Sequence, residues 1–171
     1  MQSQRDLPGE VSIARLLAAE AQLEGRLAIR QLKRLLDLLA SDEGDANVDL
    51  QFIRDDEGRR LIKGSVSASM DVYCQRCLDP MTLTLKQGIA LALVAGEDTA
   101  KQLPEELEPL IVVDDTVDLH ALVEDELLLA LPIVSLHEQS CATQRYMSAE
   151  EPEQEPRQKP FEDLAEMLGK H

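Results

Sequence analysis

Between residues 48 and 94 the chain alternates apolar and polar residues in three successive runs, and this limits its fold more than any other feature. Val48, Leu50 and Phe52 alternate with Asp49 and Gln51. After the turn-forming stretch DEGRR comes LIKGSVSASMDVYC, in which Val66, Ala68, Met70, Val72 and Cys74 share one face. Ser65, Ser67, Ser69 and Asp71 take the other. Beyond CQRCLDP the pattern resumes through Met81, Leu83 and Leu85, then Ile89, Leu91 and Leu93. Successive side chains of a strand point to opposite faces. Three such runs joined by short polar turns therefore predict an antiparallel sheet with one face in the core and one in water.

On either side of these runs the period becomes helical. EVSIARLLAAEAQLEG predicts a short helix with Ser12 as N-cap and Ile13, Leu16, Leu17 and Glu20 along its period, ended or bent at Gly25. LAIRQLKRLLDLLA predicts a second, whose Leu32, Leu35, Leu36 and Leu39 form an apolar stripe for the core or for a partner's groove. SDEGDA is an acidic turn. EDTAKQLPEELEP is a polar loop, and LIVVDD a further short strand. DLHALVEDELLLALP predicts a central helix with Asp118 as N-cap and Pro132 as stop. Leu119, Leu122, Val123, Leu127, Ala130 and Leu131 lie on one face of it, and the acidic Glu124, Asp125 and Glu126 are expected on its solvated surface.

The expected fold class is α+β: an antiparallel sheet of three or more strands packed with N-terminal and central helices, in a single domain over residues 1–147. With aromatic residues at 2% the core has to be aliphatic. Over residues 148–171 the composition changes. SAEEPEQEPRQKP reads as a flexible linker that cannot bury a core. It leads to FEDLAEMLGKH, where Phe161, Leu164, Ala165 and Leu168 fall on one face of a short C-terminal helix, either a docked cap or a recognition peptide.

Charge excludes some functions. Against 17 basic residues stand 33 acidic ones, a formal net charge of −16. Nucleic-acid binding draws chiefly on Lys and Arg displacing counterions from phosphates, so this balance argues against direct RNA binding. MQSQRDLPGE has no basic patch ahead of an apolar run, and the longest apolar stretch, residues 127–134, falls far short of the ~20 residues a bilayer needs. A cytoplasmic location with no membrane partner is the expectation.

Three cysteines remain to be placed. Cys74 and Cys77 stand three positions apart, and His137 precedes Cys141 by four. A redox pair is usually activated by a helix N-terminus, whereas this pair lies between two strand-patterned runs. A C-x-x-C at a hairpin turn lets both sulfurs reach one ion, and Cys74, Cys77, His137 and Cys141 together make a Cys3His set suited to one zinc. Such a zinc would be structural, since four protein ligands leave no position for a catalytic water. The other reading makes Cys74 a strand residue of the core and leaves the rest incidental. No Gly-rich phosphate loop, G-x-S-x-G elbow or H-E-x-x-H is present, and His120 reads as a surface or cap residue, so no enzymatic activity and no other cofactor are expected.

CQRCL after an alternating strand, DLHALVEDELLLALPIVSLH with a cysteine soon after, and the terminal KPFEDLAEML resemble the bacterial YceD family of large ribosomal RNA subunit accumulation proteins. Leu7-Pro8 and LEGRLAIRQLKRL, with Gly25, Gln31 and Arg34, extend the likeness to the N-terminal part. The resemblance implies a non-enzymatic role in synthesis, processing or stability of 23S (large-subunit) ribosomal RNA. Some branches of that family carry further cysteines after the same Leu-Pro, which favours a metal near Cys141. The cations available for RNA, Arg26, Arg30, Lys33 and Arg34 with Arg59, Arg60 and Lys63, are sparse. A basic ribosomal protein, or a ribosome-assembly or rRNA-processing factor, held by the acidic surface is therefore the expected partner. The competing reading is a zinc- or redox-responsive regulator that senses through Cys74 and Cys77.

Overall fold

A computed structural model describes residues 5–141. In chain order these form β1 (Glu10–Ser12), α1 (Ile13–Ala18), β2 (Gln22–Ala28), a 3-10 turn (Ile29–Gln31), α2 (Lys33–Leu36), β3 (Asp45–Arg54), β4 (Arg60–Tyr73), β5 (Pro80–Val94), α3 (Glu97–Ala100), β6 (Glu108–Ile111), β7 (Thr116–Asp118) and α4 (Leu119–Ala130). One sheet has the order β2-β3-β4-β5-β6, and β1 pairs with β7 in a separate ribbon. All neighbours are antiparallel except β6, which returns parallel to β5 after the loop that carries α3. The fold is α+β, as the sequence pattern indicates. The C-terminal helix expected within residues 148–171 lies outside the described residues.

The three alternating runs are β3, β4 and β5. Ala46, Val48, Leu50 and Phe52 of β3 face inward beside Ile62, Val66, Ala68, Met70 and Val72 of β4 and Leu85, Ile89, Leu91 and Leu93 of β5, all buried. Register places Phe52 opposite Ile62, and Met70 opposite Leu83. On the outer face Ser69 Oγ and Thr84 Oγ1 lie 3.1 Å apart, and Thr82 Oγ1 donates to Asp71 Oδ1 at 2.7 Å, which is the polar half of the alternation. The β3–β4 turn is held by Asp55, whose Oδ1 accepts from the Glu57 and Arg59 N–H groups. Gly64 of β4 has φ +157, and a Cβ there would sit 1.9 Å from the Asp49 carbonyl oxygen, so no side chain fits.

α4 covers the inner face, burying Leu119, Leu122, Val123 and Leu127 against β4 and β5. Asp118 caps it as expected: its Oδ1 accepts from His120 N at 2.9 Å and Ala121 N at 3.2 Å. Pro132 follows its C-cap, Leu131. His120 ties α4 to the N-terminal segment, with Nε2 2.9 Å from the Leu7 carbonyl. No helix among the described residues is long and apolar enough to cross a membrane.

The N-terminal part corrects the two-helix expectation. Only six residues form α1 and four form α2, and between them residues 22–28 are a strand. Within QLEGRLA, Leu23, Gly25 and Leu27 repeat every second residue, and β3 offers that segment seven paired positions from Gln22–Gln51 to Ala28–Asp45. A glycine in mid-helix costs about 1 kcal/mol, which tips the same residues towards the ladder. Gly25 also admits the N-terminal segment, since a Cβ there would lie 3.1 Å from Leu7 Cα. Backbone bonds from Leu7 N to Arg26 O and from Arg26 N to Arg5 O cross there. Leu32 and Leu35 are fully buried and Leu36 and Leu39 pack on the core, so the stripe is core, carried by short turns instead of one helix. Ser12 stands at the N-cap position of α1, as expected, but its side chain makes no cap hydrogen bond. Its Oγ donates to Asp115 Oδ2, and that same oxygen accepts from Ala14 N.

The acidic run of α4 brings a second correction. Glu124 and Glu126 are 8% and 5% exposed, not on a solvated surface. Glu124 Oε1 accepts from Arg34 N at 2.7 Å and Leu35 N at 3.3 Å, while Oε2 accepts from Arg34 Nε at 2.8 Å. Asp125 Oδ1 takes Arg34 Nη1 at 2.7 Å. Burial disfavours the charged Glu124, but the Arg34 guanidinium and the Leu35 and Arg34 N–H groups outweigh it and hold the carboxyl below its usual range. Residue 34 meets residue 124 only through the tertiary fold, so no local pattern marks the pair.

Candidate metal centre

At one end of the sheet β4 gives way to the turn CQRCLD before β5 begins. The turn is closed at its base by Cys74 N to Asp79 O at 3.0 Å and at its neck by Leu78 N to Cys74 O at 2.8 Å. Leu78 takes φ +64, a left-handed conformation costly for any residue but glycine, and its side chain is exposed. Cys74, the residue after β4, continues the inward face of that strand and is fully buried. Flanking strands, not a helix N-terminus, hold the pair.

His137 and Cys141 arrive from the segment after α4. Gln75 N donates to Ser135 O at 2.9 Å and docks that segment on the turn. Arg76, between the two cysteines, completes the link. One of its terminal nitrogens donates to the carbonyls of His137 at 3.1 Å and Gln139 at 2.8 Å, and its Nε donates to Cys141 Sγ at 2.9 Å. The four residues singled out by sequence thus meet. Their ligand atoms all lie within 4.8 Å of one another, with Cys74 Sγ 3.6 Å from Cys141 Sγ and Cys77 Sγ 3.4 Å from His137 Nδ1.

These spacings suit a tetrahedral ion. Zinc–sulfur bonds of about 2.3 Å and zinc–nitrogen bonds of about 2.0 Å put sulfurs about 3.8 Å apart and sulfur about 3.5 Å from nitrogen. The Cys3His cluster can therefore bind a metal. Protonation divides the four ligands. Burial opposes a thiolate at Cys74, yet N–H groups of Cys77, His137 and Arg76 and the Cys141 thiol bring its pKa down to about 5. Burial also opposes ionisation of Cys141, and Arg76 and His137 overcome it. At Cys77 the Asp79 N–H favours the thiolate, but burial and the neighbouring Cys141 and Cys74 sulfurs prevail and push it up to about 11. Hydrogen bonds to Cys141 and Cys74 raise His137 above its ordinary value. Like charges in one small volume oppose one another, and a cation at their centre removes the conflict. With three thiolates and a neutral imidazole, a divalent ion would leave one net negative charge, which Arg76 is placed to offset. Sequence reading missed Arg76; its position inside the C-x-x-C was the available signal.

All four residues of the cluster lie in the stretch that a protein-family profile matches. A family profile described as Large ribosomal RNA subunit accumulation protein YceD matches residues 62–168, more than half of the sequence. The chain belongs to the YceD family. A Haemophilus influenzae relative named Large ribosomal RNA subunit accumulation protein YceD is 40% identical over 114 residues. That match spans 66% of each chain, just under two thirds of the relative's length. No solved structure matches the chain. The YceD match contains all four residues of the cluster, β5 and α4, and begins within β4.

Proposed function

We propose that this chain is a non-enzymatic, cytoplasmic ribosome-biogenesis factor that supports accumulation of large-subunit ribosomal RNA. It acts through a basic protein partner, a ribosomal protein or an assembly or processing factor, held by its acidic surface, and not through the RNA itself. The observation that carries this reading is membership of the YceD family together with the name of its relative. The net charge of −16 supports the indirect route. So do four of the seven cations that could have met RNA. Arg34 is engaged by Glu124 and Asp125, Arg59 by Asp55 and Glu57, Arg26 by Asp45, and Arg60 by the Leu93 carbonyl. Within this role Cys74, Cys77, His137 and Cys141 hold one structural zinc that pins the β4–β5 turn to the segment after α4.

Depleting the protein from cells and measuring large- against small-subunit ribosomal RNA tests the role, and a fall in that ratio is expected. Filter binding to naked large-subunit RNA at physiological salt tests the route. Weak binding, beside tight binding to purified basic ribosomal proteins, is expected. Tight binding to the RNA alone would overturn the indirect route.

A further inference from the structure

α4 is too short to cover the sheet it packs on. β4 and β5 have 14 and 15 residues and span roughly 45–50 Å, whereas the 12-residue α4 spans about 18 Å. Beyond its end the inner face is only partly covered. A groove of about 920 Å³ opens there between the first part of β5 and residues 136–141, its walls mixing apolar Met81, Leu83 and Leu136 with polar Thr82, Thr84 and Glu138, and Cys141 at its rim. Met81 and Leu83 point to the core side yet remain half-buried, and Leu136 in the facing wall is 42% exposed. β6 pairs with β5 only from Leu91 to Val94, so among the described residues the edge of β5 over residues 80–90 carries no strand.

We propose that residues 161–168 of the same chain dock in this groove and cover the apolar end of the sheet. Three observations select this occupant over a partner or a second copy. The described chain stops at Cys141, itself at the rim of the groove, and nineteen residues, 142–160, separate it from Phe161. A coil of that length spans about 25 Å, so the segment is delivered at a millimolar effective concentration that a free ligand rarely matches. Phe161, Leu164, Ala165 and Leu168 stand at i, i+3, i+4 and i+7, a stripe that suits a groove and not the period of two an added strand would need. Finally, the family match begins in β4 and ends at residue 168, so groove and occupant belong to one shared unit. Met81 gives the wall an adaptable surface for an aromatic ring. This docking goes beyond the proposed cellular role and does not depend on it.

Methyl NMR on the full-length protein tests the proposal. Phe52 and Phe161 are the two phenylalanines, and Phe52 is fully buried in the main core, so each ring's contacts are separable. Nuclear Overhauser effects from the Phe161 ring to the methyls of Met81, Leu83 and Leu136 are expected. In a sample mixing labelled and unlabelled chains they should remain within one chain. Phe161→Ser should abolish them, shift those methyls and quicken exchange of the amides of residues 81–84 about tenfold, leaving methyls near Phe52 unchanged. Absent contacts with unshifted methyls in Phe161→Ser would overturn the proposal. Contacts found only between chains would do so as well, assigning the groove to a second copy.

Discussion

Two ties hold α4 and the segment that follows it to the rest of the molecule, and they differ in what completes them. Towards α2, Glu124 and Asp125 grip Arg34 and the backbone N–H groups of residues 34 and 35. Every charge there has its opposite within the chain. Beyond the C-terminal end, Cys74, Cys77, His137 and Cys141 gather sulfur and nitrogen at close range with Arg76 as their only cation among these contacts. The first tie is finished by folding. The second gathers groups whose protonation states work against one another, and a divalent ion would reconcile them. The contrast separates a structural ion pair from a binding centre, although both are clusters of charged or ionisable side chains.

That difference should show first in metal-site variants. Cys74→Ser removes a buried ligand, and because binding to the folded state adds directly to stability, a melting temperature lower by about 10 °C or more is expected, with loss of bound zinc. Chelation of the wild type should approach the same melting temperature. Glu124→Gln comes next. It weakens three charge-assisted hydrogen bonds at a buried site, for a cost of about 2 kcal/mol, visible in a urea titration as a lower midpoint with an unchanged slope. Its zinc content should stay at the wild-type level, which separates the two ties.

Arg76→Gln sharpens the comparison from the other side. The variant should keep the four ligands but bind zinc about 10–100-fold more weakly, measured by competition with a chelating dye, since partners that orient and offset ligands tune affinity on that scale. The smallest change is expected for Arg34→Lys, which retains charge but loses the planar fork shared by Glu124 and Asp125. A fall in melting temperature of about 3 °C should be measured by calorimetry. Acidity probes the same tie. The folded pKa of Glu124 lies below its ordinary 4.5, so its contribution is complete above that value and is lost as pH falls through the folded pKa. The stability difference between wild type and Glu124→Gln should shrink accordingly below about pH 4.5.

The sheet was legible because period-two alternation is a local signal and β3, β4 and β5 follow one another through short turns. The central helix was legible through Asp118 and Pro132, which mark its ends chemically. β2 was not, because Leu23, Gly25 and Leu27 sit between two helix-like stripes and only pairing with β3 decides for the strand. The four ligands could be named from residue type and spacing. Their assembly could not, since it depends on the path taken after α4, fixed by Gln75, Ser135 and Arg76. The Glu124 tie was least visible: an acidic run in mid-helix is an ordinary surface feature until a distant arginine meets it.

Whether the second tie is a metal centre is decided most directly by elemental analysis of untagged protein, paired with a thermal melt before and after chelation. About one zinc per chain and a melt lowered by chelation are the expected result. Metal-free protein whose melt is unchanged by chelator or by added zinc would contradict the assignment, and would leave Cys74 as a core residue and the other three as its neighbours.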